Sequence, residues 1–237
     1  MRNGQLIKST VGPAFSRTIF IIKICHPESV TYKSATRDIM NKLLIATNNQ
    51  GKIVEFQELL AGSGIEFVTP AQVNIQLEVE EDGSTYRENA AKKARAFAQA
   101  SGLISLADDS GLEVDALDGA PGLYSARYSP KIGAKDADRR AFLLANLKDK
   151  PRPWTAHFHA TIAIAKPTGE TEFAEGDCYG EIIPEERGRG GFGYDPIFLL
   201  TDMGRTMAEL EMEEKNRLSH RARAIMAAMP KLKVMLS

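Results

Sequence analysis

From Asn41 onward, apolar and polar positions follow one another in an orderly pattern. Residues 42–47 form a short continuous apolar run of the kind a buried strand shows, closed by the polar turn Asn48-Asn49-Gln50-Gly51. Ile53, Phe56, Leu59 and Leu60 follow at helical spacing, and Ala61-Gly62-Ser63-Gly64 stops that helix before Ile65-Glu66-Phe67-Val68 resumes an extended pattern. The unit is strand, helix, strand. Residues 86–102, rich in Ala, Lys, Arg and Glu, predict a second helix leading into an apolar strand over 103–107. Residues 136–147 predict a third helix. Residues 156–165 alternate strictly, turn at Lys166-Pro167-Thr168-Gly169 and return over 172–179, which predicts a long antiparallel hairpin. Residues 196–200 form a further apolar strand, and Ser219 caps a last helix expected to end at Pro230. The pattern is α/β, with a mixed twisted sheet and flanking helices.

The 39 residues before this pattern have no clear amphipathic period. Six basic residues against Glu28 and Asp38 leave them at +4, while the rest of the chain stands at −5. They fit neither a transit peptide nor a signal sequence, since no small-residue cleavage site follows the apolar stretch Thr18-Ile19-Phe20-Ile21-Ile22. Residues 1–39 are therefore expected to be an extension unrelated to the fold, with translation starting at Met40, and residues 40–237 to be one domain. That apolar stretch is also far short of the roughly 20 residues needed to cross a bilayer, so no membrane partner is expected. The chain's formal charge of −1 gives no field that attracts nucleic acid. Two cysteines, Cys25 and Cys178, at neither metal-ligand spacing nor disulfide density, point to the cytoplasm.

Four segments carry candidate chemistry. The turn Thr47-Asn48-Asn49-Gln50-Gly51-Lys52 opens a helix, where unpaired N–H groups, the positive end of the dipole and Lys52 suit a polyphosphate. It is not a P-loop, having one glycine and Ile53 after the lysine, and it also reads as an Asn-capped helix with a solvated lysine. In Ala107-Asp108-Asp109-Ser110-Gly111-Leu112 the strand runs into two carboxylates that extended backbone points to opposite faces. One of them is expected to brace the loop. The other, with the acidic cluster Glu78, Glu80, Glu81 and Asp82, could hold Mg²⁺, a hard cation suited to carboxylates and phosphates. The glycine-rich loop Gly188-Arg189-Gly190-Gly191-Phe192-Gly193-Tyr194-Asp195 lets backbone approach a ligand, and Phe192 and Tyr194 offer faces for a planar base, with Asp195 an acceptor. Finally, His220 and Arg221 fall in the first turn of a helix, where cations oppose the dipole, a placement that hints at a ligand.

Together, the segments 47–52, 88–94, 107–112, Gly119-Ala120-Pro121-Gly122-Leu123-Tyr124-Ser125-Ala126-Arg127, Gly191-Phe192-Gly193-Tyr194-Asp195-Pro196 and Ser219-His220-Arg221 resemble the inosine triphosphate pyrophosphatase family, the XTP/dITP diphosphatases. The resemblance runs from Met40 to the C-terminus. It implies an ITPase-like fold, hydrolysis of dITP, ITP and XTP to the monophosphate and pyrophosphate, a Mg²⁺ cofactor and a homodimer. By the same resemblance Thr47, Asn48, Asn49, Gln50, Gly51, Lys52 and Lys93 bind substrate, chiefly its phosphates. Asp109 is implied to be the catalytic carboxylate, both proton acceptor and metal ligand, Ser110 a substrate contact, and Glu80 or Glu81 a further metal ligand. Phe192, Gly193, Tyr194, Asp195, Lys215, His220 and Arg221 meet the nucleotide and its base. Asn48 stands where many relatives carry glycine. The chemistry agrees: O6 of hypoxanthine or xanthine is an acceptor where adenine has a donor, so a donor-rich pocket from His220 and Arg221 would accept the former. A Maf-like pyrophosphatase of other base specificity and a non-catalytic nucleotide-binding module are the alternatives.

Overall fold

A computed structural model of the chain describes residues 42–237. The extension expected over residues 1–39 lies outside the described residues. Seven strands form one mixed sheet: β1 (Lys42–Ile45), β2 (Glu66–Val68), β3 (Ile104–Val114), β4 (Trp154–Ala165), β5 (Thr171–Ile182), β6 (Phe198–Leu200) and β7 (Arg205–Thr206), in the order β2-β1-β3-β4-β5-β6-β7. β1 runs parallel to β2 and β3, and every later pair is antiparallel. The helices are α1 (Gln50–Leu60), α2 (Tyr86–Ser101), α3 (Asp136–Leu147), α4 (Met212–Leu218) and α5 (His220–Leu236).

Local chemistry starts α1 and α2 where the sequence places them, while α4 is a short helix that the pattern did not predict. The Asn49 side chain caps α1 by accepting from the Lys52 amide, Thr85 caps α2 by accepting from the Glu88 amide, and Gly102 ends α2 in the left-handed region. Packing then sorts the helices to the two faces of the sheet. The face with Leu43, Ile45, Leu106 and Ile162 is covered by Phe56 and Leu60 of α1 and by Ile225, Ala228 and Leu232 of α5. The opposite face, with Leu44, Ala107 and Ala163, is covered by Ala90, Ala94 and Phe97 of α2.

Two expectations are corrected. The last helix does not stop at Pro230 but continues to Leu236, with the proline inside it. Proline removes one hydrogen bond of the helix, whereas continuing buries Leu232 and Met235 against the core around Phe56, which outweighs the loss. The strand expected over 103–107 extends to Val114, because β4 pairs with it from Ser105 to Val114. Asp108 and Asp109 therefore lie within β3 and not at its end.

What makes room for a site is the shortness of β1. Its pairing with β3 ends at Ile45 opposite Leu106, with one further bond from the Ala46 amide to the Leu106 carbonyl. Beyond that point the edge of β3 facing β1 is open until Ser125 Oγ accepts from the Leu112 amide at 2.9 Å and Glu113 bridges to Pro121. The crevice outside the carboxyl end of β1 is where open α/β sheets receive ligands.

Candidate active site

The open edge of β3 exposes the carbonyl of Asp108, which has lost its strand partner. Two lysines take it. Lys93, from α2, donates to this oxygen at 2.8 Å, and Lys52, from the first turn of α1, does so at 3.4 Å. Both ammonium groups are thereby held in the crevice from opposite faces of the sheet. Alternation along β3 divides the two carboxylates in the same way. Asp108 faces α1 and α5, where Lys52 at 2.7 Å and Arg221 at 3.0 Å grip its Oδ2. Burial opposes its charge, yet Arg221 and Lys52 hold its carboxyl far below the usual range. Asp108 is thus the bracing carboxylate.

Asp109 faces α2. Lys93 lies 3.9 Å from its Oδ1 and 2.7 Å from Glu81, while its Oδ2 is buried with no partner. Burial lifts the Asp109 pKa above that of an ordinary aspartate, with Lys93 pulling the other way. The structure thus separates two acidic residues that the sequence could not: Glu81 stands beside Asp109 and Lys93, whereas Glu80 points to solvent. Among the described residues no group of three or more His, Cys, Asp and Glu converges as a ready-made metal cluster. Two carboxylates, one with a free oxygen, still suit a hard cation that keeps water and substrate phosphates as its other ligands.

The turn before α1 is tied up locally. Thr47 Oγ1 accepts from the Asn49 amide and Asn49 Oδ1 from the Lys52 amide, at 3.2 and 3.1 Å. Asn48 and Gln50 are exposed and line a polar groove with Thr69 and Gln72. Burial pushes the Lys52 pKa below its ordinary value, with Asp108 only partly offsetting this. A bound anion would restore it.

At the other end of the crevice, a buried network has Glu55 at its centre, a residue that sequence reasoning did not select. Glu55 accepts from Lys215 at 2.7 Å and from Arg221, and Lys215 also reaches Asp195 at 2.7 Å. Burial opposes ionisation of Glu55, but Arg221 and Lys215 hold its pKa at about 2. The signal was present in the sequence: a glutamate next to Phe56 on the apolar stripe of α1, the position of a paired buried charge.

The glycine-rich loop differs from expectation at Tyr194. Its ring is 4% exposed, packs in the core with Trp154 and Phe198, and donates from its hydroxyl to the Ser125 carbonyl at 2.9 Å. It offers no stacking face. Phe192 does: its ring lies against Gly51, 5.2 Å from the Lys215 ammonium and 5.8 Å from the Arg221 guanidinium carbon. A Cβ on Gly51 would stand 2.7 Å from this ring. Gly51→Ala should therefore displace Phe192 while improving helix propensity by about 1 kcal/mol. Melting temperature is expected to stay within about 3 °C of the parent, while KM for the nucleotide rises several-fold. An unchanged KM would place the ring outside the binding site.

His220 and Arg221 do open α5, as expected, but not as two exposed cations. His220 is buried and stacked on Phe158, with ring centroids 4.8 Å apart, and burial together with Arg221 lowers its pKa to about 3. It is neutral. Arg221 is 1% exposed and is held by Glu55, Asp108 and Ser110, so its charge is cancelled where the dipole would oppose it. Arg221 Nε and His220 Nδ1 are buried without partners.

These shifts set a pH profile. A depressed folded pKa contributes stability above the unfolded value and loses it as pH falls toward the folded one. His220 should therefore weaken the fold from about pH 6.5 downward, joined by Glu55 below about pH 4.5. Melting temperature should drop by roughly 3–5 °C per pH unit below 6.5. His220→Phe, which keeps the stack and cannot titrate, should flatten the upper part of the fall. A wild-type melting temperature constant from pH 7 to 5 would overturn this account.

Comparison with known proteins agrees on one group. Residues 43–231 match the Ham1 family. The chain is 50% identical over 191 residues to a dITP/XTP pyrophosphatase of Desulforamulus reducens, covering 79% of this chain and 94% of that protein. It is 48% identical over 187 residues to one of Geobacter sulfurreducens, covering 78% and 94%. Among solved structures, a HAM1 protein of Coxiella burnetii superposes with a TM-score of 0.73 at 41% identity, covering 81% of this chain and 98% of that one. The Staphylococcus aureus Ham1 protein does so with 0.72 at 39%, covering 81% and 98%.

Proposed function

This chain belongs to the Ham1 family, and from that premise we infer that it hydrolyses non-canonical purine nucleoside triphosphates, dITP, ITP and XTP, to the monophosphate and pyrophosphate. It is a nucleoside triphosphate diphosphatase. The relatives give no support to a Maf-like enzyme or a non-catalytic module. The observation that carries the site assignment is the convergence at the open edge of β3: two lysines on the Asp108 carbonyl, with the unpartnered Asp109 Oδ2 beside them.

In this reading Lys52 and Lys93 hold the phosphates that leave, and Asp109 takes the proton of the water that attacks the α-phosphorus. A base must be ionised, so the raised Asp109 pKa moves the acid limit of activity upward. Charge balance bears on the metal. The cations of the cleft, Lys52, Lys93, Lys215 and Arg221, are each already paired with carboxylates, Glu55, Glu81, Asp108, Asp109 and Asp195, which leaves little free positive charge for a triphosphate. A divalent cation, which we take to be Mg²⁺, would be held by Glu81 and Asp109 and supplies the missing positive charge. We assign this place to Glu81 over Glu80 because Glu81 pairs with Lys93 beside Asp109, whereas Glu80 is exposed.

For the base, Phe192 is the stacking face, and Arg221 Nε–H and His220 Nδ1 are the unpartnered polar atoms left to read its edge. Ser110, shared with Arg221 at 3.0 Å, lies between the base end and the phosphate end. The homodimer and cytoplasmic setting implied by the resemblance belong to the same proposal, and sedimentation velocity checks the first. The experiment that tests the function is pyrophosphate release from dITP, XTP, dGTP, dATP and dTTP with and without Mg²⁺. Preference for dITP and XTP that depends on Mg²⁺ supports the reading, and equal rates on all five would overturn it.

A further inference from the structure

The loop that carries Phe192 is gripped from outside the cleft by α3. The Gly193 amide donates to Asp136 Oδ2 at 2.8 Å, and the Gly193 carbonyl accepts from Arg140 at 2.8 Å. Arg140 also forks onto Glu186, a few residues ahead of the loop, at 2.8 and 2.9 Å. The other oxygen of Asp136 takes Arg139 at 2.6 Å. From the inner side, Asp195 accepts from the Phe192 amide at 2.9 Å and is itself anchored by Lys215.

Both polar groups of Gly193 are thus bound by charged side chains from one helix, and charge-assisted bonds are the stronger and more directional kind. Gly193 adopts φ +62°, which a residue with a side chain rarely does, so the loop follows a narrow path. The path ends with the Phe192 ring against Gly51. Nothing in the proposed chemistry uses Asp136 or Arg140. Their geometry is nonetheless directed at Gly193, the residue directly after the stacking face.

We propose that Asp136 and Arg140 are positioning residues for nucleotide recognition: the start of α3 fixes the backbone on which Phe192 stands and thereby sets affinity for the purine base. The inference rests on Phe192 being the stacking face. A clamp that acts only on stability would lower melting temperature without a selective effect on KM. A positioning role raises KM and leaves kcat in place.

The test uses the full chain with dITP and Mg²⁺. Asp136→Ala removes the acceptor, Arg140→Met keeps the buried stem and removes the donors, and Asp136→Asn keeps an oxygen for the Gly193 amide. Asp136→Ala and Arg140→Met should each raise KM about five- to tenfold with kcat within twofold of the parent. Hydrogen exchange at the amides of residues 192–195 should speed up in both. Asp136→Asn should return KM to within about twofold of the parent. Phe192→Ala separates the two layers of the argument. If it raises KM while both clamp variants leave KM unchanged, the positioning proposal is overturned and the stacking reading stands. If Phe192→Ala itself leaves KM unchanged, the stacking reading falls and the proposal with it. A rise in KM in Arg140→Met alone sustains the proposal even where Asp136→Ala does not fold.

Discussion

Asp109→Asn should reduce kcat/KM for dITP by at least about a thousandfold, about 4 kcal/mol in barrier, because in the proposed mechanism the substitution removes a base and an anionic ligand together. The fold should survive. Lys93 keeps Glu81 at 2.7 Å and the Asp108 carbonyl at 2.8 Å, and loses only a contact of 3.9 Å. Linkage gives the sign of the stability change. The Asp109 pKa is raised in the folded state, so its contribution to stability is present below the unfolded value and lost as pH rises through the folded one. At pH 8 the carboxylate is a cost that asparagine removes, and the variant should melt at or above the wild-type temperature. Pyrophosphate release and a thermal melt on the same preparation check both halves. Activity within threefold of wild type would remove Asp109 from the base role.

Arg221→Ala should have the largest effect on stability, a loss of about 3–5 kcal/mol, because it strips a cation from two buried carboxylates at once. Glu55 would keep only Lys215, which is buried and already shared with Asp195, and Asp108 would keep only the partly buried Lys52. For a domain of this size the melting temperature should fall by roughly 10 °C. This changes how selectivity is to be read. An arginine contacting O6 predicts a lower ratio of kcat/KM for dITP over dATP, yet in Arg221→Ala that loss would be mixed with collapse of the Glu55 and Asp108 network. Arg221→Lys keeps a charge but cannot fork onto Glu55, Asp108 and Ser110 together. Its ratio, measured at a temperature where it is folded, isolates recognition of the base. A melting temperature for Arg221→Ala equal to wild type would show that the network does not bear on stability.

The part of this protein legible in its sequence is what short-range periodicity and local capping encode. The β-α-β start, the helix over Tyr86–Ser101 and the hairpin follow from patterns that complete themselves within about a dozen residues. So does the opposite facing of Asp108 and Asp109, since strand geometry alone demands it. The six motif segments could be read and matched to a family without knowing where the chain folds back.

Other features depended on contacts that no local pattern contains. That β1 stops opposite Leu106 while β3 runs on to Val114 decides that the Asp108 carbonyl is free for two lysines. That Glu55 meets Arg221 across 166 positions of chain decides that the first turn of α5 carries a neutralised arginine and not an exposed cation. Tyr194 and Phe192, two residues apart in one loop, part company: the ring of Tyr194 packs in the core, while α3 binds both backbone groups of Gly193 between them and the Phe192 ring lies against Gly51. Glu81 rather than its neighbour Glu80 reaches Lys93, and Pro230 does not end its helix because Leu232 and Met235 are buried beyond it. These outcomes are set by which strands end early, which charges are buried together and which apolar side chains find room in the core. Such energies arise only when distant segments exclude water from one another, and for that reason the tertiary structure decided them.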